Sequence, residues 1–233
     1  MLRLGSIALG DVPRIAVPLD DHELRDQANE ARRYADVFEL RIDLFRDRAV
    51  DRVAALCREV GASGVPFIAT VRAVEEGGAA GLSAADRRGL YAAALPGAAA
   101  LDVELRSALR AEIVAAAGAA GALSIVSHHD FVATPSDAEL DALVDAARGA
   151  GADIVKIAAH AATPGDRNRL LDLLRRRRAE PLIVIAMGPA GVASRVFFPL
   201  CGSLLTYGFL NQPVAPGQLS IRQLREALDL YGP

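Results

Sequence analysis

The chain has one lysine, Lys156, and it lies in the apolar run "DIVKIA" at 153–158; the other 25 basic side chains are arginines. Burial and nearby arginine charges would lower the pKa of such an amine. Free amine near neutral pH adds to carbonyls and forms a Schiff base, which a guanidinium cannot do. Other runs supply matching chemistry. "SHHDF" at 127–131 carries His129, an imidazole suited to moving protons near neutrality. His128 and His129 are adjacent, so at most one of them faces a common axis from a strand. Arg41, Arg72 and Arg195 are more cations than a neutral ligand needs and match a carboxylate or phosphate. Glu39 and Gln218 are suited to hydroxyls. Together they describe a small, hydroxylated, anionic carbonyl compound. Each also has a plainer reading: Lys156 as half of a structural Lys–Glu pair, Glu39 with Arg41 as an ion pair, Arg195 as a solvated helix residue.

Positioning these residues requires strands. Eight apolar runs fit: 14–19, 37–42, 66–72, 99–105, 123–128, 153–158, 182–187 and 203–208. They read as apolar almost throughout, as parallel strands covered on both faces do. Helical patterns fill the gaps at 21–34, 47–61, 83–95, 107–119, 136–150, 165–178, 190–199 and 217–230. Ser136 with Glu139 forms a capping box, and Leu140, Leu143, Val144 and Ala147 make one apolar stripe behind it. Eight βα units predict a (β/α)8 TIM barrel, built as a single domain over residues 1–233. An open doubly wound sheet is disfavoured, because no G-x-G-x-x-G follows the first strand. In a barrel, function gathers at the C-terminal ends of the strands. There lie Glu39 and Arg41, Arg72 with Glu75 and Glu76, Asp102 and Glu104, His129, Lys156, Arg195 and Gln218. "GPAG" at 188–191 serves either a phosphate or a tight turn. "RRRR" at 175–178 reads as a solvated helix end.

Composition narrows the class. The hydrophobic fraction is 52%, ample for a large core, and the net charge is −3. Neither nucleic acid nor an anionic membrane is an expected partner. No run is long and apolar enough for a membrane span, and the N-terminus does not read as a signal peptide. Cys57 and Cys201 are far apart and outside any metal-like spacing, so two free thiols in a reducing cytoplasm are expected. No metal is expected. A Schiff-base aldolase or transaldolase, and a barrel that only binds an anionic metabolite, both remain open on these residues.

The motifs in combination resemble the type I 3-dehydroquinate dehydratases of the shikimate pathway. They are "ELRID" at 39–43, "TVRAVEEGG" at 70–78, "SHHDF" with "TP" at 134–135, "DIVKIA", "MGPAGVASR" at 187–195 and "APGQ" at 215–218. The resemblance spans about residues 14 to 225. It implies the same barrel, as a homodimer, with Lys156 as the Schiff-base lysine and His129 as the general acid/base. It implies that Glu76 positions His129, and that Glu39, Arg41, Arg72, Arg195 and Gln218 bind substrate. It implies no cofactor: Lys156 condenses with the C3 ketone, His129 removes the C2 proton, and the C1 hydroxyl leaves as water. The loop 209–218 would close over the site and bring Gln218 with it. Two positions depart from the family pattern. Val214 stands where relatives often have Ser, and Pro18 where they can carry a small polar residue. Neither side chain can supply a hydroxyl contact, and neither change touches the imine chemistry.

Overall fold

The computed structural model describes residues 2–213 and 218–232. An antiparallel hairpin comes first, β1 (Arg3–Leu4) with β2 (Ile7–Ala8). Eight strands follow: β3 (Ile15–Leu19), β4 (Val37–Arg41), β5 (Phe67–Thr70), β6 (Ala100–Glu104), β7 (Leu123–Asp130), β8 (Ile154–His160), β9 (Leu182–Met187) and β10 (Thr206–Tyr207). They pair in parallel in the order β10, β3, then β4 through β9. Hydrogen bonds bridge the seam from β9 to the approach of β10. The Leu204 N–H donates to the Leu182 carbonyl at 2.8 Å, and the Val184 N–H donates to the Ser203 hydroxyl at 3.0 Å. The sheet is thus a nearly closed (β/α)8 barrel.

Helices α1 (Asp21–Ala31), α2 (Val50–Ala62), α3 (Ala84–Ala94), α4 (Arg110–Ala119), α5 (Asp137–Gly149), α6 (Pro164–Arg176), α7 (Ser194–Leu200) and α8 (Ile221–Tyr231) link and cover the strands. Five begin with reciprocal capping boxes, at Asp20–Glu23, Ser83–Asp86, Ser136–Glu139, Thr163–Asp166 and Ser220–Gln223. Each satisfies N–H groups that a helix start leaves without partners. Outward strand residues such as Phe38, Leu40 and Val103 pack into one apolar shell, and Val126, Val155 and Val184 into another.

The barrel interior is layered by the two-residue strand period. The lowest layer, including Val37, Ile68, Ile125, Ile154, Ile183 and Leu205, is wholly apolar. Leu4 of the hairpin is fully buried in it and plugs the N-terminal end. Two residues further along β4 through β8 the layer turns polar, with Glu39, Thr70, Asp102, Ser127 and Lys156. Register holds these side by side: Thr70 pairs with Asp102, and Ser127 with Lys156. A third step brings Arg41, Glu104 and His129 to the mouth.

Every predicted strand and helix is present, with shifted ends. The eighth strand shrinks to two residues. The helix expected from 107 starts at Arg110, because Ser107 is used in a turn that donates its N–H to the Glu104 carbonyl. The helix expected from 190 starts at Ser194, after a 3-10 turn over Pro189–Gly191. A Cβ on Gly191 would lie 2.2 Å from the Ala186 carbonyl oxygen, which accounts for "GPAG" as a tight turn. The hairpin before β3 was not expected, since two-residue strands carry no readable period.

Candidate active site

Lys156 is buried in the polar layer, and its ammonium meets two carboxylates. Nζ lies 2.9 Å from Asp102 Oδ2 and 3.2 Å from Glu39 Oε1. The face of the Tyr207 ring covers it, with Nζ 4.4 Å from the centroid. The expectation of a lowered pKa is corrected here. Burial does act against the charge, but Asp102 and Glu39 outweigh it and hold the ammonium above the ordinary lysine range. Resting Lys156 is protonated.

Arg72 is spent within the same network. It pairs with Asp102 at 3.0 Å and Glu104 at 3.3 Å, and donates to the Ser127 hydroxyl at 2.7 Å. Ser127 in turn donates to Asp102 Oδ1 at 2.6 Å, and Thr70 donates to Glu39 at 3.0 Å. Glu104 also takes Arg87 at 2.6 Å. Burial raises the Asp102 carboxyl, but Arg72 and Lys156 overcome it and hold it far below the ordinary range. Arg41 donates twice to Asp43, at 3.0 and 2.8 Å, and reaches the Gly77 carbonyl at 3.3 Å.

His129 faces inward and His128 outward, as adjacent strand residues must. One Glu76 oxygen, Oε2, holds the inward ring, lying 2.9 Å from Nδ1 and accepting the His129 backbone N–H at 2.9 Å. Glu76 sits on the 3-10 turn Val74–Glu76, which Gly77 ends with a positive φ of 83°. A Cβ on Gly78 would stand 2.1 Å from the Arg72 carbonyl oxygen, so the "GG" lets this turn fold back on β5. Burial pushes the Glu76 carboxyl up to about 7. Burial, then the Arg72 and Lys156 charges, push His129 well below the ordinary imidazole value. The ring is neutral.

Arg195, at the start of α7, is buried, and its Nε and Nη2 have no hydrogen-bond partner among the described residues. Burial alone draws its guanidinium down to about 10. Around the site, Arg41, Arg72, Arg87 and Lys156 are met by Glu39, Asp43, Asp102 and Glu104. Among the described residues, Arg195 is left without a carboxylate partner. Replacing it should therefore relax the fold. Arg195→Met is expected to gain about 1–3 kcal/mol, the cost of a buried unsatisfied polar group. A melting temperature equal to or below wild type would contradict that reading.

All eight residues nominated from sequence line one cavity of about 270 Å³: Glu39, Arg41, Arg72, Glu76, His129, Lys156, Arg195 and Gln218. Pro18 lines it too. Val214 and residues 215–217 of the expected lid lie outside the described residues. Asp102 and Tyr207 were not singled out as site residues. Asp102 was recoverable, since it shares a strand face with Glu104; Tyr207 gave no signal beyond its place near a strand end. Among the described residues, no group of His, Cys, Asp and Glu could hold a metal ion.

Comparison with known proteins agrees with this geometry. A family model described as type I 3-dehydroquinase matches residues 15–233. The 3-dehydroquinate dehydratase of Methanosarcina barkeri is 34% identical over 99% of both chains. That of Methanocella arvoryzae is 36% identical over 89% of this chain and 93% of its own. The crystal structure of 3-dehydroquinate dehydratase from Geobacillus kaustophilus superposes with a TM-score of 0.88 at 31% identity, covering 99% of this chain and 96% of that one. By sequence, fold and the residues gathered at the mouth of its barrel, the chain belongs to the type I 3-dehydroquinase family.

Proposed function

We propose how the residues of this cavity divide the work of a 3-dehydroquinate dehydratase, the hydro-lyase activity of the family. The observation that carries the assignment is the pairing of one amine nucleophile with one uncompensated buried cation in a single small cavity. Arg195 takes the substrate carboxylate. Lys156 gives up a proton and attacks the C3 ketone, and the resulting protonated imine acidifies C2. His129, neutral and oriented by Glu76, removes the C2 proton. It returns a proton as the C1 hydroxyl leaves as water, and hydrolysis frees 3-dehydroshikimate and Lys156. The iminium is the electron sink, so the reaction calls for no cofactor.

The protonated resting lysine shapes the first step. Its proton must leave before attack, and Glu39, at 3.2 Å and facing the cavity, is the acceptor we assign. Arg41 and Arg72 act chiefly by fixing Asp43, Asp102 and Glu104, with any remaining donor capacity directed at substrate. Gln218 contacts a substrate hydroxyl. Neither an aldolase on sugar phosphates nor a barrel that binds without turnover is favoured by the family and its named relatives.

We also assign residues 1–233 to one catalytic domain, acting as a homodimer in the cytoplasm. Free Cys57 and Cys201 suit a reducing compartment, and exposed Val132, Leu230 and Tyr231 suit contact with a second copy. No helix among the described residues is long and apolar enough to cross a membrane.

The test is enone absorbance on adding 3-dehydroquinate, followed by borohydride reduction during turnover and peptide mass mapping. A reduced adduct on the Lys156 peptide is expected. Turnover without any adduct would remove the imine from the mechanism.

A further inference from the structure

Tyr207 carries an atom that the mechanism so far leaves unused. Its side chain is buried, points inward from β10 and lines the cavity beside Lys156. Its hydroxyl lies near the Lys156 ammonium but within hydrogen-bonding geometry of no group among the described residues. Packing does not require that oxygen. A phenylalanine would fill the same space and place the same ring face over Nζ, without the cost of an unsatisfied buried hydroxyl. Buried polar atoms left unpaired in a folded protein need a partner that comes from elsewhere. The partner has to be an oxygen or nitrogen of whatever occupies the space next to the amine.

We propose that the Tyr207 hydroxyl is the hydrogen-bonding station for the oxygen that the substrate ketone loses during imine formation and regains during hydrolysis. The inference rests on the imine reading above. When the neutral amine adds to C3, a C–N bond forms and the carbonyl π pair moves onto oxygen. Tyr207 donates its proton to that oxygen and takes one from the amine nitrogen, leaving a neutral carbinolamine and an unchanged phenol. Glu39 then returns the proton it took from the resting ammonium, and the carbinolamine loses its oxygen as water to give the protonated imine. In the reverse direction the same hydroxyl holds the water that attacks the imine. Burial raises the phenol pKa further, so it enters each cycle as a donor.

The experiment separates this exchange from the dehydration step. Purified enzyme is incubated with 3-dehydroshikimate in ¹⁸O-enriched water. Each round of imine formation and hydrolysis replaces the C3 oxygen and adds two mass units, above the uncatalysed background. Wild type is expected to exchange rapidly. Tyr207→Phe is expected to exchange at least about tenfold more slowly, toward the lower end of general acid–base effects. It should melt no lower than wild type, because the orphan hydroxyl is gone. Exchange by Tyr207→Phe within twofold of wild type would overturn the role of Tyr207 and leave the imine reading standing. Absence of exchange above background and of a borohydride adduct in active wild type would overturn both.

Discussion

Lys156→Arg is expected to give no borohydride-trapped adduct and to lower kcat by about 10⁴-fold or more, roughly 5.5 kcal/mol of barrier. This is a severe substitution here because it changes so little else. The rest of the chain uses arginine wherever a positive charge is needed. A guanidinium at 156 still faces Asp102 and Glu39, so the buried carboxylates keep a counter-charge. What disappears is the ability to lose a proton and add to a carbonyl. Lys156→Ala is a poorer probe. It removes the cation from Glu39 and leaves Asp102 with Arg72 alone, and breaking a buried pair costs about 3–5 kcal/mol of stability. Comparing the two by melting and by turnover divides the residue's structural duty from its chemical one. Lys156→Arg retaining a tenth of wild-type kcat would end its assignment as nucleophile.

The second large effect falls on His129. His129→Ala is expected to form the imine, visible as a reducible adduct, yet to lose about 10³-fold in dehydration, within the usual range of general acid–base catalysis. Wild-type activity in that variant would move the base elsewhere. The pH profile follows from the Glu76 contact. With Glu76 ionised, Nδ1–H donates to it and Nε2 keeps a lone pair for the C2 proton. When Glu76 takes up a proton, it donates to Nδ1 instead, and the ring hydrogen shifts to Nε2. Because burial lifts this carboxyl to about 7, kcat/KM is expected to fall as pH drops through that value. Stability runs with the opposite sign. The unfolded carboxyl releases its proton near its ordinary 4.5 while the folded one keeps it to about 7. Folding is therefore favoured less as pH rises between those values. Glu76→Gln keeps a hydrogen-bonding group without titrating and should flatten the acidic limb. An unchanged limb would assign it to another group.

Much of this site was legible because strand periodicity places its parts. Glu39 with Arg41, and Asp102 with Glu104, are two apart and must share a face. Adjacent His128 and His129 must split, and they do. The sign of the Lys156 shift was not legible. It depends on carboxylates 54 and 117 positions away, brought within 2.9 and 3.2 Å by the register of strands that are not even neighbours. Counting arginines suggested an anionic ligand. Only the partners of each arginine revealed that Arg72 and Arg41 are already engaged and Arg195 is not. The short hairpin was invisible for a different reason: its stability comes from burying Leu4 in the barrel floor, and a two-residue strand holds no pattern of its own.

That hairpin also decides the traffic of the reaction. With Leu4 seated in the apolar floor, the barrel has a blind end, and every molecule must use the mouth. The carbon skeleton enters there, and both the expelled water and the enone leave there. In the imine mechanism proposed above, the water that releases the product from Lys156 must arrive by the same route while the product still occupies it. The described residues make the barrel a dead-end vessel, and the order in which molecules pass its mouth is imposed by the floor at its opposite end.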